Sequence, residues 1–388
     1  MTSSLFTKQG HNHITHLGAA HTNGGNSTDS SWGHGSDDGS WVHSFNNRKE
    51  GVRNFVNFPT FLVMSSYKLI SRPLGTVQCY VLKRDDGAEL EILSGYGAGL
   101  NAWRVPTSGS QLLDLLFGYR VGDDIYKLGP DTNAGCRLAP FPGRTAYAKF
   151  TWNGNTYALI NNVSWAPHAL HGFLQNKEWK FESFESDSES CTAIFSCDWP
   201  GAFAGFPFPF KATNKITFTG ETYSVVSSVQ NTGNTTMPYS EGWHPYYSLG
   251  EKVDNLKMTL PESRLALLDK ADLPTGNFQD DTRFVGGRTI GDEFINDCFC
   301  LGEEFSTGVA PSKAHVLLEG QTGTLDIWQQ AGAGQYKAIQ IYTPPTRASI
   351  AIEPMTSEPD ALNHHRGLIE IPPGKSRNFA FGAKFQKK

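Results

Sequence analysis

Moving a proton on and off a sugar or alcohol oxygen takes a group that titrates near neutrality and a carboxylate base. Three residues of this chain stand in surroundings that suit those tasks. His171 lies in Pro167-His168-Ala169-Leu170-His171-Gly172-Phe173, where the glycine lets the backbone turn and approach a ligand closely. His244 lies in Glu241-Gly242-Trp243-His244-Pro245-Tyr246-Tyr247, where proline fixes the backbone and aromatic rings surround the imidazole. Aromatic faces suit the apolar C–H faces of a pyranose ring. Glu353 closes the apolar run Ala348-Ser349-Ile350-Ala351-Ile352 and precedes Pro354-Met355-Thr356. A carboxylate at the end of a buried strand is either paired structurally or poised as a base, because glutamate is rarely buried without a partner. Arg144, in Phe-Pro-Gly-Arg-Thr, and Asp297, in Ile-Asn-Asp-Cys-Phe, are candidates for fixing sugar hydroxyls, since charged groups make the stronger hydrogen bonds. Each has a plainer reading that the residues alone leave open: a satisfied core histidine, a structural ion pair, a solvated charge.

These residues need a scaffold, and the turn signals say which. Lys149 to Leu159 alternates Phe150 and Trp152 with polar neighbours, breaks at Asn153-Gly154 and resumes with Thr156, Tyr157 and Leu159; this predicts a hairpin with a type I′ turn. Asp86-Gly87 separates Tyr80-Val81-Leu82 from Leu90-Glu91-Ile92 in the same way. Gly220-Glu221, between Lys215–Phe218 and Thr222–Val229, predicts a type II′ hairpin. Helical periodicity is scarce, with one short helix expected over Leu112 to Phe117. The 40 Gly and 21 Pro suit a chain built on turns. The fold class expected is all-β, a sandwich or barrel, with no internal sequence repeat.

The organisation is a tail and one large domain. Residues 1–60 are rich in Gly, Ser, Asn and His, lack apolar periodicity, and read as a disordered tail; their histidine spacings are too irregular for a metal site. The folded domain is expected over 65–388, with a natural start near Met64. A net charge of -5 and no basic stripe argue against nucleic acid. No apolar run is long enough to span a membrane, and no signal-peptide pattern opens the chain. Six scattered cysteines without CxxC spacing read as reduced thiols of a cytoplasmic protein. Nothing in the sequence specifies an oligomeric state.

Over residues 67–387 the motifs, taken in order, resemble the aldose 1-epimerase family. Gly95-Tyr96-Gly97-Ala98 is similar to the family's early strand and Asp114-Leu115-Leu116-Phe117-Gly118-Tyr119 to its Gly-Tyr segment. Pro142-Gly143-Arg144 stands where the family has Asn-Arg-Ile. Leu170-His171-Gly172, His244-Pro245-Tyr246, Pro274-Thr275-Gly276, Asp297-Cys298-Phe299, Gln340-Ile341-Tyr342-Thr343 and Glu353-Pro354-Met355 follow in family order. The resemblance implies a large antiparallel β-sandwich with its site in a cleft on one sheet face. It implies Glu353 as general base, His244 as general acid and His171 as a second imidazole. Arg144, Asp297 and Gln340 would bind the sugar. Gly143 in place of asparagine implies one hydroxyl contact either missing or supplied elsewhere, and the His-Pro-Tyr and Glu-Pro-Met forms look closer to the broad bacterial branch than to the galactose enzymes.

The activity so implied is interconversion of α and β anomers of a free aldohexose, with no metal or organic cofactor. Three alternatives stand beside it. A hexose-6-phosphate epimerase would need basic residues at the rim, for which Arg137, Lys337, Arg347 and Arg366 are candidates. A glycoside hydrolase would need a second carboxylate, Glu241 or Asp297, opposite Glu353. A non-catalytic carbohydrate-binding module would keep the pocket without turnover.

Overall fold

The computed structural model describes residues 66–107, 111–302 and 312–388. The expectations of a disordered tail over 1–60 and of a start near Met64 lie outside the described residues. The architecture is the all-β sandwich expected, built from antiparallel strands. One nine-stranded sheet runs, in spatial order, through Lys180–Ser186, Cys191–Trp199, Phe210–Phe218, Thr222–Asn231, Ser376–Lys387, Gly323–Gln330, Lys313–Glu319, Lys257–Thr259 and Arg288–Thr289. The second, also nine-stranded, carries the candidate residues. Its middle runs Ser263–Leu268, Asn296–Leu301, Ala338–Tyr342, Ile350–Met355 and Gly242–Trp243. A five-stranded sheet, Tyr67 to Asp114, follows chain order.

The core sits between the large sheets and shows the period-2 logic of half-buried strands. Along Thr222–Asn231 buried and half-buried residues alternate, with Tyr223, Val225 and Val229 turned inward. From the second sheet Ile339, Ile341, Ile350 and Ile352 meet them in one cluster with Phe379 and Phe381. Each such side chain contributes roughly 1.5–3 kcal/mol of burial. Polar links cross the same gap: the Trp243 indole donates to Ser227 Oγ at 2.8 Å, and fully buried Arg137 reaches Asn214 Oδ1 at 3.0 Å.

The turns follow their residues. Asn153 and Gly154 both take positive φ, 48° and 78°, as a type I′ turn requires. At Gly220-Glu221 only the glycine does, at 94°, which matches type II′. Asp86-Gly87 closes a longer loop instead, with Arg84 N–H bonded to Ala88 O and only Gly87 at positive φ. Two further expectations are corrected. Leu112 to Phe117 is not a helix but two short strands, Leu112–Asp114 and Leu116–Phe117, whose backbones pair with Arg104–Pro106 and Tyr246–Tyr247. A sheet partner for each of the two strands outweighs the local preference of leucine for helix. Gly95 to Ala98 is not a strand either but the turn between Glu89–Leu93 and Gly99–Pro106, with Gly97 and Ala98 at positive φ. The longer of the two α-helices among the described residues, Gly122–Thr132, contains Gly129 and Pro130, which hide it from a propensity reading.

Candidate active site

Glu353 lies mid-sheet on Ile350–Met355, a strand of wholly buried residues. Alternation sends Ile350 and Ile352 into the core cluster and leaves Glu353 on the opposite face. Gln340 is its direct cross-strand partner, and Cys298 is the next residue along the same row. On the other side Gly242–Trp243 and Tyr246–Tyr247 pair with the two ends of the Glu353 strand and leave His244 between them. Two backbone bonds hold that segment, His244 N–H to Cys136 O at 3.0 Å and Gly135 N–H to His244 O at 2.8 Å. Nε2 of His244 then stands 3.4 Å from Oε1 of Glu353. The imidazole stacks on Tyr246 with ring centres 4.8 Å apart.

His171 follows the two-residue strand Ala169–Leu170 and meets His244 edge to face at 5.3 Å. It and Gly172 take φ of 62° and 68°, so the chain reverses sharply here. A Cβ on Gly172 would stand 2.1 Å from Ala139 O, so only glycine fits. The segment is locked to Gly143 from both sides: His171 N–H donates to Gly143 O at 2.9 Å, and Gly143 N–H donates to His171 Nδ1 at 3.1 Å. Nδ1 is therefore an acceptor, and the proton of the neutral ring sits on Nε2. Gly143 takes φ of 63°, and a Cβ there would press on Pro359 at 2.9 Å. The ring of Pro359 thus accompanies the missing asparagine.

Arg144 completes the group. Its guanidinium lies over the Trp165 ring at 5.1 Å and 3.2 Å from the Asp272 carboxylate, with Nε buried and unpartnered. These side chains surround one open cavity of about 390 Å³, whose wall also includes Asn296, Gln340, Tyr342, Asp131 and Phe294. Five of the six residues singled out from sequence meet here: His171, His244, Glu353, Arg144 and Gln340. Asp297 does not. It alternates to the other face of its strand, where its carboxylate is held by Arg283 at 2.6 Å. Its neighbour Asn296 faces the cavity and accepts from Gln340 at 3.1 Å. Trp165, exposed in a loop, and Asp272 were not legible as site residues.

Burial sets the protonation of the pair. Desolvation pushes Glu353 well above the usual carboxylate range, against a smaller opposing pull from Arg144. It pushes His244 down to about 4 and His171 well below the ordinary imidazole value, the latter aided by His244 and Arg144. Both shifts within the Glu353–His244 pair favour the uncharged form, with the shared proton on the carboxyl. Oε2 of Glu353 and Nδ1 of His244 are buried without partners. Among the described residues no cluster of three or more His, Cys, Asp or Glu is placed to hold a metal ion.

The other basic and acidic candidates are spoken for. Arg137 is fully buried and paired with Glu241 at 2.5 Å, and Glu241 also accepts from Tyr239 and Tyr336. Arg347 binds Asp254, and Arg366 binds Glu358. None of these, nor Lys337, lines the cavity. His168 is a satisfied core residue: Tyr147 N–H donates to its Nδ1 at 3.0 Å.

The chain belongs to the aldose 1-epimerase family, whose profile matches residues 78–383. It is 25% identical over 268 residues to the uncharacterized protein YihR of Escherichia coli, covering 67% of this chain and 81% of that one. A shorter match, 34% identical over 128 residues, covers 33% of this chain and only 41% of the uncharacterized Escherichia coli protein YphB. Among solved structures, a galactose mutarotase-like protein of Clostridium acetobutylicum superposes with a TM-score of 0.71 at 16% identity, over 83% of this chain and 99% of that one. A galactose 1-epimerase of Lactobacillus acidophilus gives 0.66 at 16% identity, over 83% and 98%. At such identities these two show the fold.

Proposed function

We propose that this protein is an isomerase that interconverts the α and β anomers of a free aldohexose, with the sugar bound over Glu353 in the cavity under Trp165. The observation that carries the reading is the buried His244–Glu353 pair at 3.4 Å, opening onto a cavity that also holds His171 and Arg144. Mutarotation opens the ring, turns the C1–C2 bond and closes on the other face of the aldehyde. Opening takes a proton from the anomeric hydroxyl and gives one to the ring oxygen; on sugar binding the pair's single proton passes from Glu353 to His244 Nε2, after which the Glu353 carboxylate takes the first and the His244 imidazolium gives the second. The pair then holds its proton on Glu353, with His244 neutral. That is the state burial favours in the empty site, so the protein is poised for the open-chain intermediate. Closure reverses the roles: Glu353 returns its proton to the aldehyde oxygen and His244 accepts the one on O5. His171, with its proton on Nε2, acts as a donor to sugar oxygens, while Arg144, Gln340 and Asn296 hold the hydroxyls. Each proton carrier is worth about 10²–10⁴-fold.

The cavity's charges favour a free sugar over its 6-phosphate. Arg144 is the one Lys or Arg among the described residues of the wall, and Asp131 and Asp272 share that wall. A phosphate dianion would meet two carboxylates and a guanidinium already engaged by Asp272. The two carboxylates the sequence offers a hydrolase as partners for Glu353, Glu241 and Asp297, are both tied to arginines away from the cavity. Six unpaired cysteines support a reducing compartment such as the cytoplasm. The test is the optical rotation of freshly dissolved α-glucose and α-galactose with and without protein, beside an anomer-exchange measurement on glucose 6-phosphate. Faster equilibration of a free hexose is expected. Acceleration of the phosphate alone would overturn the free-sugar reading.

A further inference from the structure

Behind the catalytic segment lies a second cavity, of about 370 Å³, with a different character. The two cavities use opposite sides of the same few residues. Leu170 and His171 line the first; Ala169, Gly172 and Phe173 line the second. The rest of its wall includes Phe141, Leu159, Ile160, Trp199 and Phe203, and none of its lining residues is charged. Phe173 and Trp199 pack at a tilt with ring centres 4.0 Å apart, and Phe203 meets Phe173 edge to face. Ile160, two-thirds exposed, stands at the mouth.

Three amides interrupt this apolar wall. Asn162 is used up in holding the catalytic segment, donating to Leu170 O at 2.9 Å and accepting from Leu170 N–H at 2.8 Å. Gln175 donates to Gly172 O at 3.4 Å, but its amide oxygen is buried and has no partner. A buried acceptor left unpaired is costly, so a donor from an occupant would be favoured there. Asn176 is the remaining polar group of the wall. The cavity falls within the ~300–1,000 Å³ range of small-molecule sites and has their composition, mostly apolar with few polar groups. A pyranose, with hydroxyls on most carbons, would find too few partners here.

We propose that this cavity is a second ligand site, back to back with His171, for a small uncharged aromatic molecule carrying one O–H or N–H donor, of the phenol or indole class. The aromatic ring lies among Phe173, Trp199 and Phe203, and its donor satisfies the amide of Gln175. The site does not depend on the reaction catalysed next door, and binding alone tests it. Phenol and indole are titrated onto the full chain by calorimetry and ligand-observed NMR, with Ile160→Glu and Phe203→Ala as separate variants. Ile160→Glu places a carboxylate at the mouth without touching the core, so it keeps the test sound if Phe203→Ala is unstable. Saturable binding of at least one probe is expected, weakened tenfold or more by Ile160→Glu and left in place by saturating glucose. Three results would overturn the proposal: no saturable binding of either probe, equal binding by Ile160→Glu, or displacement of the probe by glucose, which would put it in the other cavity.

Discussion

Glu241→Gln separates a structural carboxylate from a catalytic one. Glu241 lies three residues before His244 in sequence and is one of the two partners a glycosidase reading would give Glu353. In the fold its side chain is wholly buried and accepts from Arg137, Tyr239 and Tyr336. Arg137 in turn is fixed by Asn214 and by the carbonyls of Thr213 and Ser228, so it cannot swing out to water. Glutamine keeps the shape but strands a buried guanidinium, a loss of about 3–5 kcal/mol. With about 2.1 cal/mol/K of unfolding entropy per residue over roughly 320 residues, that lowers the melting temperature by about 4–7 °C. Calorimetry and polarimetry on the same preparation, well below the transition, read both effects. The expected result is the lowered transition with activity per folded molecule within a few-fold of wild type. An unchanged transition with a hundredfold loss of activity would refute the reasoning and give Glu241 a chemical role.

Four further outcomes follow from the site. Arg144→Lys removes the planar fork beside Trp165 and is expected to raise KM by roughly 10- to 100-fold, about 1.5–3 kcal/mol, with a smaller change in kcat. Asn296→Ala is expected to raise KM and Asp297→Asn to leave KM unchanged, because the first faces the cavity and the second faces Arg283; steady-state kinetics on the pair decide it. Gly172→Ala forces a Cβ against Ala139 O and should cost 1–2 kcal/mol or more in denaturant titration while displacing His171. The pH dependence of stability has a sign that can be worked out. His244 and His171 are depressed in the fold, so the stability they confer is present above about pH 6.5 and is lost as pH falls toward about 4. Glu353 is raised, so its contribution runs the other way, lost as pH rises from about 4.5. Glu353→Gln removes that offset, and its stability should climb with pH between about 4.5 and 6.5 more steeply than wild type, by up to 1.4 kcal/mol per unit.

Local patterns foretold much of the fold. Asn153-Gly154 and Gly220-Glu221 carry their turn geometry in the residues themselves, and the alternation of Phe150 and Trp152 survives as buried against exposed. What failed was set by distant partners. Leu112 to Phe117 has the composition of a helix and becomes strand because Arg104–Pro106 and Tyr246–Tyr247 supply its hydrogen bonds. The site shows the same division. His171, His244 and Glu353 stood out through their neighbours, a glycine, a proline and an apolar run. Asp297 failed by one residue: strand parity, invisible without knowing which face is covered, hands the cavity to Asn296. Trp165 and Asp272 sit in loops, where no periodicity marks them, and join the site because Arg144 brings them together.

The central claim is that the buried Glu353–His244 pair carries the proton between the anomeric and ring oxygens. Polarimetry of freshly dissolved α-glucose and α-galactose, with wild type and Glu353→Gln at equal folded concentration, tests it most directly. The wild type is expected to accelerate equilibration and the variant to lose about 10²-fold or more of that acceleration. Acceleration by Glu353→Gln equal to that of wild type would contradict it.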